Sequence, residues 1–379
     1  MQRAFCAPKA PVFRPGADGR NIAGRGKGMP SKVEELFSRF RAPGLWQDIR
    51  EFFHPRELEC LQVEVTSCCM GRCVYCPHTT RADVWKSRHM SPETFAALWP
   101  VLCKTSRVHL QGWGEPFLNP YFMDFVSLAR RAGCAVSTTT CGMRMDEELA
   151  ERIVESGMDI VAFSLTGTDE AGNAARAGVP FARVEEAVRT LQKVRRAKNA
   201  VHLEIHLAYL MLASQVEGVR GLPELMDAWG VHAAVVSTMD YIPSPDMAHE
   251  AFVPHEREKI EAARVVLEET GAKVRAAGHD FYASLPAPEP APCCRERAHK
   301  TMYVDAEGHI SPCVYLNVPL DAPDARRTVF GNVGEESPVA IWEKPEYAAF
   351  RTEVQTSDPP SACLSCAKRF EAPCALQNG

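Results

Sequence analysis

Leu61-Gln62-Val63-Glu64-Val65-Thr66-Ser67-Cys68-Cys69-Met70-Gly71-Arg72-Cys73-Val74-Tyr75-Cys76 joins a strand pattern to a ligand pattern. In its first half Leu61, Val63 and Val65 alternate with Gln62, Glu64 and Thr66, the period of a strand with one apolar face. In its second half Cys69, Cys73 and Cys76 fall as C-x3-C-x2-C on the loop leaving that strand. Three thiolates on one short loop can ligate three corners of a cubane iron–sulfur cluster. The fourth iron then stays open, as a catalytic centre requires, whereas a structural centre is closed by a fourth ligand. A zinc site with a distant fourth ligand, or simple packing, would use the same residues. Cys68 breaks the spacing to Cys73 and reads as packing.

Outward from this junction, strand and helix patterns alternate. Strands are expected at 61–66, 107–111, 135–140, 160–165, 201–210 and 233–238. Helices are expected at 92–103, 121–132, 146–156, about 181–196 and 222–229. Such β/α repeats imply parallel strands with right-handed crossovers. A partial (β/α)6 TIM-like barrel is the natural product, although a doubly wound sheet gives the same string. Residues 284–292 (SLPAPEPAP) read as a linker. Beyond them Thr301–Tyr315 suggests a hairpin turning at Asp305–Gly308, and Pro338–Arg351 a helix. The expected organisation of this α/β protein is an N-terminal extension (1–54), a barrel (55–250), a helix and linker (251–292) and a small α+β domain (293–379). The first 28 or so residues lack apolar periodicity and look disordered. Met29-Pro30-Ser31-Lys32 opens a helix with Val33, Leu36, Phe37 and Phe40 on one face, for which Ser31 is a plausible cap.

The 379 residues are 46% hydrophobic and 24% charged, enough for a sizeable core. A net charge of −5 argues against a general nucleic-acid binder. No apolar run is long enough to span a bilayer, and no secretory signal is evident, so a cytoplasmic protein is expected. In that compartment 15 cysteines are better explained by metal or iron–sulfur ligation than by disulfides.

The cysteine loop, with Tyr75 before its last cysteine, resembles that of the radical S-adenosylmethionine (SAM) superfamily. Gly112-Trp113-Gly114-Glu115-Pro116 after the second strand resembles that superfamily's turn for the SAM amino group. Glycines let backbone approach a ligand, and carbonyls with Glu115 can accept hydrogen bonds from an ammonium. Ser164 resembles the family's ribose-binding serine and Arg176 the arginine that holds the SAM carboxylate. Thr139-Thr140-Cys141-Gly142 departs from a Thr-Asn-Gly turn by carrying Cys141. The resemblance implies a [4Fe–4S] cluster on Cys69, Cys73 and Cys76, SAM as its ligand, and a ferredoxin or flavodoxin as electron donor. It further implies reductive cleavage of SAM and abstraction of a substrate hydrogen.

The C-terminal order of Cys294, Gly308, Cys313, Gly331-Asn332-Val333, Trp342 and Cys363-x2-Cys366 resembles the SPASM domain or its shorter twitch form. That resemblance implies a second, auxiliary [4Fe–4S] cluster on Cys294, Cys313, Cys363 and Cys366, with Cys293 and Cys374 as alternative ligands. SPASM-type relatives modify peptides or oxidise small molecules, with no nucleic acid or membrane as partner. The motifs also resemble proteins linked to tungsten-cofactor modification. A non-catalytic iron–sulfur or zinc scaffold is the rival from another class.

Alternation suggests a site in the barrel interior. Glu64, Glu204 and His206 fall on the polar faces of their strands, which should point inward because the apolar faces need burial against helices. His206, toward the expected C-terminal end of its strand, and Asp240 and Tyr241, just after the sixth strand, should meet at the rim. His206 and Asp240 are therefore candidate catalytic residues, Asp240 as a proton acceptor.

Overall fold

A computed structural model of the chain describes residues 32–40, 56–290, 294–324 and 326–373, with 371–373 described by their backbone. The expectations for residues 1–28, Ser31, Cys293 and Cys374 lie outside the described residues.

The chain opens with α1 (Lys32–Ser38) and β1 (Leu58–Val63). It continues through β2 (Thr105–His109), α2 (Phe122–Arg131), β3 (Ala135–Thr140), α3 (Glu147–Glu155) and β4 (Ile160–Leu165). Next come α4 (Phe181–Ala197), β5 (Glu204–Met211), α5 (Leu222–Trp229), β6 (Ala233–Thr238), α6 (Arg257–Ala276) and β7 (Asp280–Pro286). The last part holds β8 (Thr301–Val304), β9 (His309–Ser311), β10 (Gly331–Asn332), α7 (Pro338–Glu343), α8 (Pro345–Glu353) and β11 (Glu371–Pro373).

Strands β1 to β7 lie side by side in chain order, all parallel. A doubly wound sheet reverses its order partway. Here each crossover steps the same way, which keeps the helices on one face and curls the sheet into a partial TIM-like barrel. One core joins Val161, Phe163 and Leu165 of β4 to Val184, Val188 and Leu191 of α4. The C-terminal residues extend the same sheet at both edges: β8 pairs in parallel with β1, and β11 pairs antiparallel with β7. Phe37 of α1 packs against Phe125 of α2, and Arg131 donates to the Phe37 carbonyl.

Several expected elements differ, each for a local reason. The helix expected at 92–103 breaks into Pro92–Ala96 and Trp99–Leu102. Pro100 has no N–H to return to Ala96, and its ring crowds that carbonyl. The helix expected at 338–351 breaks at Lys344, which Pro345 forces to φ −55° and ψ 138°. The fifth strand starts at Glu204 rather than Val201. Asn199 takes a left-handed conformation (φ 50°) at the end of α4, and the chain turns there, leaving Val201 77% exposed. Ser284–Pro286, read as linker, is strand, because β11 pairs with it. The hairpin is present as β8 and β9, with Gly308 at φ 89° in its turn. Among the described residues no helix is long and apolar enough to cross a membrane.

Candidate active site

The cysteine loop leaves the C-terminal end of β1 and is pinned by backbone. Arg72 N–H donates to the Ala177 carbonyl (2.7 Å) and Val74 N–H to that of Ala175 (3.0 Å). Gly71 sits between the thiols: a Cβ there would lie 3.6 Å from Cys69 Sγ and 3.7 Å from Cys73 Sγ. Burial pushes the Cys69 thiol up to about 11 and the Cys76 thiol up to about 12. Such thiols do not ionise unaided at neutral pH, and a coordinated metal supplies the missing compensation.

The same pairing brings Arg176 to the loop. Its guanidinium is buried and donates to the Tyr75 hydroxyl (3.0 Å). Burial disfavours its charge, but Tyr75, Cys73 and Cys141 outweigh that and hold its pKa above the usual value. Its Nε has no partner among the described residues. A buried guanidinium with donor capacity left over, beside three thiols, fits an iron–sulfur centre that also receives a carboxylate.

The 112–116 turn packs on the backbone that leads into the loop. A Cβ on Gly114 would lie 2.3 Å from the Thr66 carbonyl oxygen and 2.6 Å from that of Cys68. Glu115 N–H donates to the Cys68 carbonyl (2.8 Å). The buried Glu115 carboxylate is held by the chain itself. Oε1 accepts from the Thr140 hydroxyl (2.7 Å) and Oε2 from Cys141 N–H (2.7 Å). The Thr140–Cys141 turn thus cradles Glu115, a role its departure from the family pattern hid. Ser164, at the end of β4, donates to the Thr140 carbonyl (3.1 Å) and joins the same layer.

Beneath the turn lies Glu64, fully buried, whose Oε1 accepts from Trp113 N–H (2.8 Å). Gly112 has to be glycine here, since its Cβ would sit 2.4 Å from Glu64 Cβ. Tyr303 of β8, the Ala306 main chain and Asp305 also face the carboxylate. Burial, the largest influence, raises the Glu64 pKa from 4.5 to about 8. The folded chain therefore holds a proton that the unfolded chain releases near 4.5, and stability falls as pH rises through that window. Glu64→Gln is expected to remove this slope, a difference of about 5 kcal/mol across the whole window. Thermal midpoints of wild type and variant at about pH 5 and about pH 8 measure it.

Glu204 and His206 lie on the sheet face opposite the helices, and their side chains meet at 2.9 Å. They do not reach the rim. Because β5 begins at Glu204, the pair sits at its N-terminal end, opposite Ile160 and Ala162. The cysteine loop leaves the other end of the barrel, so His206 is not brought to the site where it was expected. Ala162, Ala208 and Val235 form an apolar cluster on that same face. The interior is therefore not uniformly polar.

Asp240 and Tyr241 follow β6 at the C-terminal rim. They line a cavity of about 850 Å³ together with Cys294, Cys313, Cys363 and Cys366. Tyr241 and Tyr315 both pack edge-on to Trp113, at 5.4 and 6.3 Å between ring centroids, which links the cavity to the 112–116 turn. Burial first, and then mutual repulsion, raises the Cys294, Cys313 and Cys363 thiols, the last to about 11. Among the described residues no three His, Cys, Asp or Glu side chains converge as one metal ion would need. Lys368, which sequence reasoning passed over, is fully buried in this cavity.

The family described as "Radical SAM superfamily" matches residues 63–208, and that described as "Iron-sulfur cluster-binding domain" (SPASM) matches residues 293–367. A Pyrococcus furiosus protein described as "Tungsten-containing aldehyde ferredoxin oxidoreductase cofactor-modifying protein" is 26% identical over 331 residues, covering 82% of this chain and 87% of its own. The "PqqA peptide cyclase" of Gluconobacter oxydans is 24% identical over 315 residues, 82% of each chain. Streptococcus suis SuiB bound to SAM superposes with a TM-score of 0.60 at 15% identity, covering 82% of this chain and 71% of that one. Fold, cysteine groups and family matches agree: the chain is a radical SAM superfamily enzyme that carries a SPASM-type auxiliary cluster domain.

Proposed function

We propose that this enzyme uses SAM to modify a peptide held in the cavity between the barrel rim and the C-terminal cysteines. The cavity carries the reading: about 850 Å³, lined by Asp240, Tyr241 and the four cysteines. That volume accommodates a cluster edge and an amino-acid side chain. The relatedness to a PqqA peptide cyclase over 82% of both chains supports it. Cys69, Cys73 and Cys76 would hold the catalytic [4Fe–4S] cluster, and Cys294, Cys313, Cys363 and Cys366 the auxiliary one. When bound, the catalytic cluster would supply the electron for reductive cleavage of SAM. Arg176 orients the SAM carboxylate through its spare N–H. The 112–114 carbonyls accept from the ammonium, while Glu115, already bonded to Thr140 and Cys141, keeps that turn in place. Ser164 offers its oxygen to the ribose. Asp240 takes a proton at the rim, and Trp113, Tyr241 and Tyr315 exclude water between the two regions. The natural donor is a ferredoxin or flavodoxin in a reducing cytosol.

The test is anaerobic incubation of reconstituted enzyme with SAM, reductant and candidate peptides. A peptide substrate should accelerate 5′-deoxyadenosine release and lose hydrogen by mass. A second reading, modification of a tungsten cofactor, is favoured by the 26% identity to the Pyrococcus protein. Acceleration by that cofactor and by no peptide would select it.

A further inference from the structure

Lys368 has a wholly buried side chain, and its Nζ lies 2.7 Å from Asp240 Oδ2 and 3.6 Å from Glu296 Oε1. Asp240 Oδ2 also accepts from the Tyr315 hydroxyl (3.1 Å). These partners share a position in the sequence. Glu296 follows Cys294 by two residues, Tyr315 follows Cys313 by two, and Lys368 follows Cys366 by two. Three of the four expected auxiliary ligands are thus each trailed by a polar side chain that reaches Asp240 or its lysine. All of these residues line the one cavity.

A buried ammonium is costly, and well-packed apolar residues often replace a buried ion pair without loss of stability. Stability alone therefore does not account for a lysine here. A cluster held by four thiolates is anionic, and in a buried site each added electron is opposed by the charge already present. Fixed charges nearby are one of the means by which a protein sets a cluster's potential.

We propose that Lys368 is a positioning residue that raises the reduction potential of the auxiliary cluster and ties that potential to Asp240 at the substrate cavity. The proposal rests on the assignment of Cys294, Cys313, Cys363 and Cys366 to that cluster. The ammonium stabilises the reduced cluster, and the Asp240 carboxylate opposes it. By linkage, a cationic substrate group that drew Asp240 away from Lys368 would make the cluster easier to reduce.

The experiment is an anaerobic redox titration of full-length reconstituted protein followed by electron paramagnetic resonance. It uses a Cys69→Ala, Cys73→Ala, Cys76→Ala background, in which only the auxiliary signal should remain. Added Lys368→Met should lower the midpoint, Asp240→Asn should raise it, and Lys368→Arg should restore it toward the parent value. A merely structural role predicts no such opposition of sign. Unchanged midpoints, or shifts of one sign in the Met and Asn variants, overturn the proposal. If Lys368→Met holds no cluster, the Asp240→Asn shift decides by its direction. Absence of any cluster from the parent background refutes the ligand assignment itself, and the proposal falls with it.

Discussion

Replacing Cys69, Cys73 and Cys76 together by Ala is expected to remove all SAM cleavage and about half of the bound iron, one cubane of two. The loop's anchors are main-chain bonds from Arg72 and Val74 to Ala177 and Ala175, which alanine side chains leave in place. The fold should therefore survive while the site does not. Iron and sulfide analysis with a 5′-deoxyadenosine assay on anaerobic protein checks both halves. Residual SAM cleavage in the triple variant would refute the assignment, as would loss of the auxiliary cluster along with the catalytic one.

The second large effect is expected at the glycines of the 112–116 turn, and the two positions should differ in kind. Gly112→Ala places a methyl group 2.4 Å from Glu64 Cβ, a side chain that can be trimmed. Gly114→Ala places one 2.3 Å from the Thr66 carbonyl oxygen, part of the backbone that delivers the cysteine loop. Each substitution should weaken SAM binding at least about tenfold, equivalent to about 1.4 kcal/mol. Glu64→Gly added to Gly112→Ala should recover much of the loss, and added to Gly114→Ala none. Calorimetric titration of SAM into reconstituted protein measures both. Equal rescue at the two positions would show that the turn moves freely and that close packing is not what it contributes.

The parts of this protein legible from sequence were those set by spacing. Cys69, Cys73 and Cys76 lie on one loop, and the turn at 112–116 follows the next strand, so local order fixes their neighbourhood. The parallel strands were legible from alternation, but the end of the barrel that a side chain occupies was not. His206 fell at the wrong end because Asn199 and the turn after α4 delay β5 by three residues, which no periodicity in 201–210 signals. Glu115 was read as facing the ligand, yet both its oxygens are used by a turn that carries an unfamiliar cysteine. Lys368 was invisible for a different reason. A lysine in a short tail helix looks solvated until Asp240, more than a hundred residues earlier, is brought against it by the pairing of β11 with β7. The repeat of a polar residue two positions after three cysteines was the available signal.

The attachment of the last strands to both edges of the sheet has a consequence for how the chain comes into being. β1 pairs with β8 through Cys60 and Thr301, and β7 with β11 through Leu285 and Ala372. During synthesis β1 emerges early and waits for most of the chain before its outer neighbour exists. Until then its free edge offers unpaired amides to any passing strand. Contacts this distant in sequence slow folding and lengthen the exposure of incomplete intermediates. A chain released early, before about residue 300, would keep the catalytic cysteine loop but leave both borders of the sheet raw. Such a fragment is a candidate for aggregation and disposal rather than a smaller working enzyme. Completion of the polypeptide is thereby built in as a condition for assembling the reactive centre.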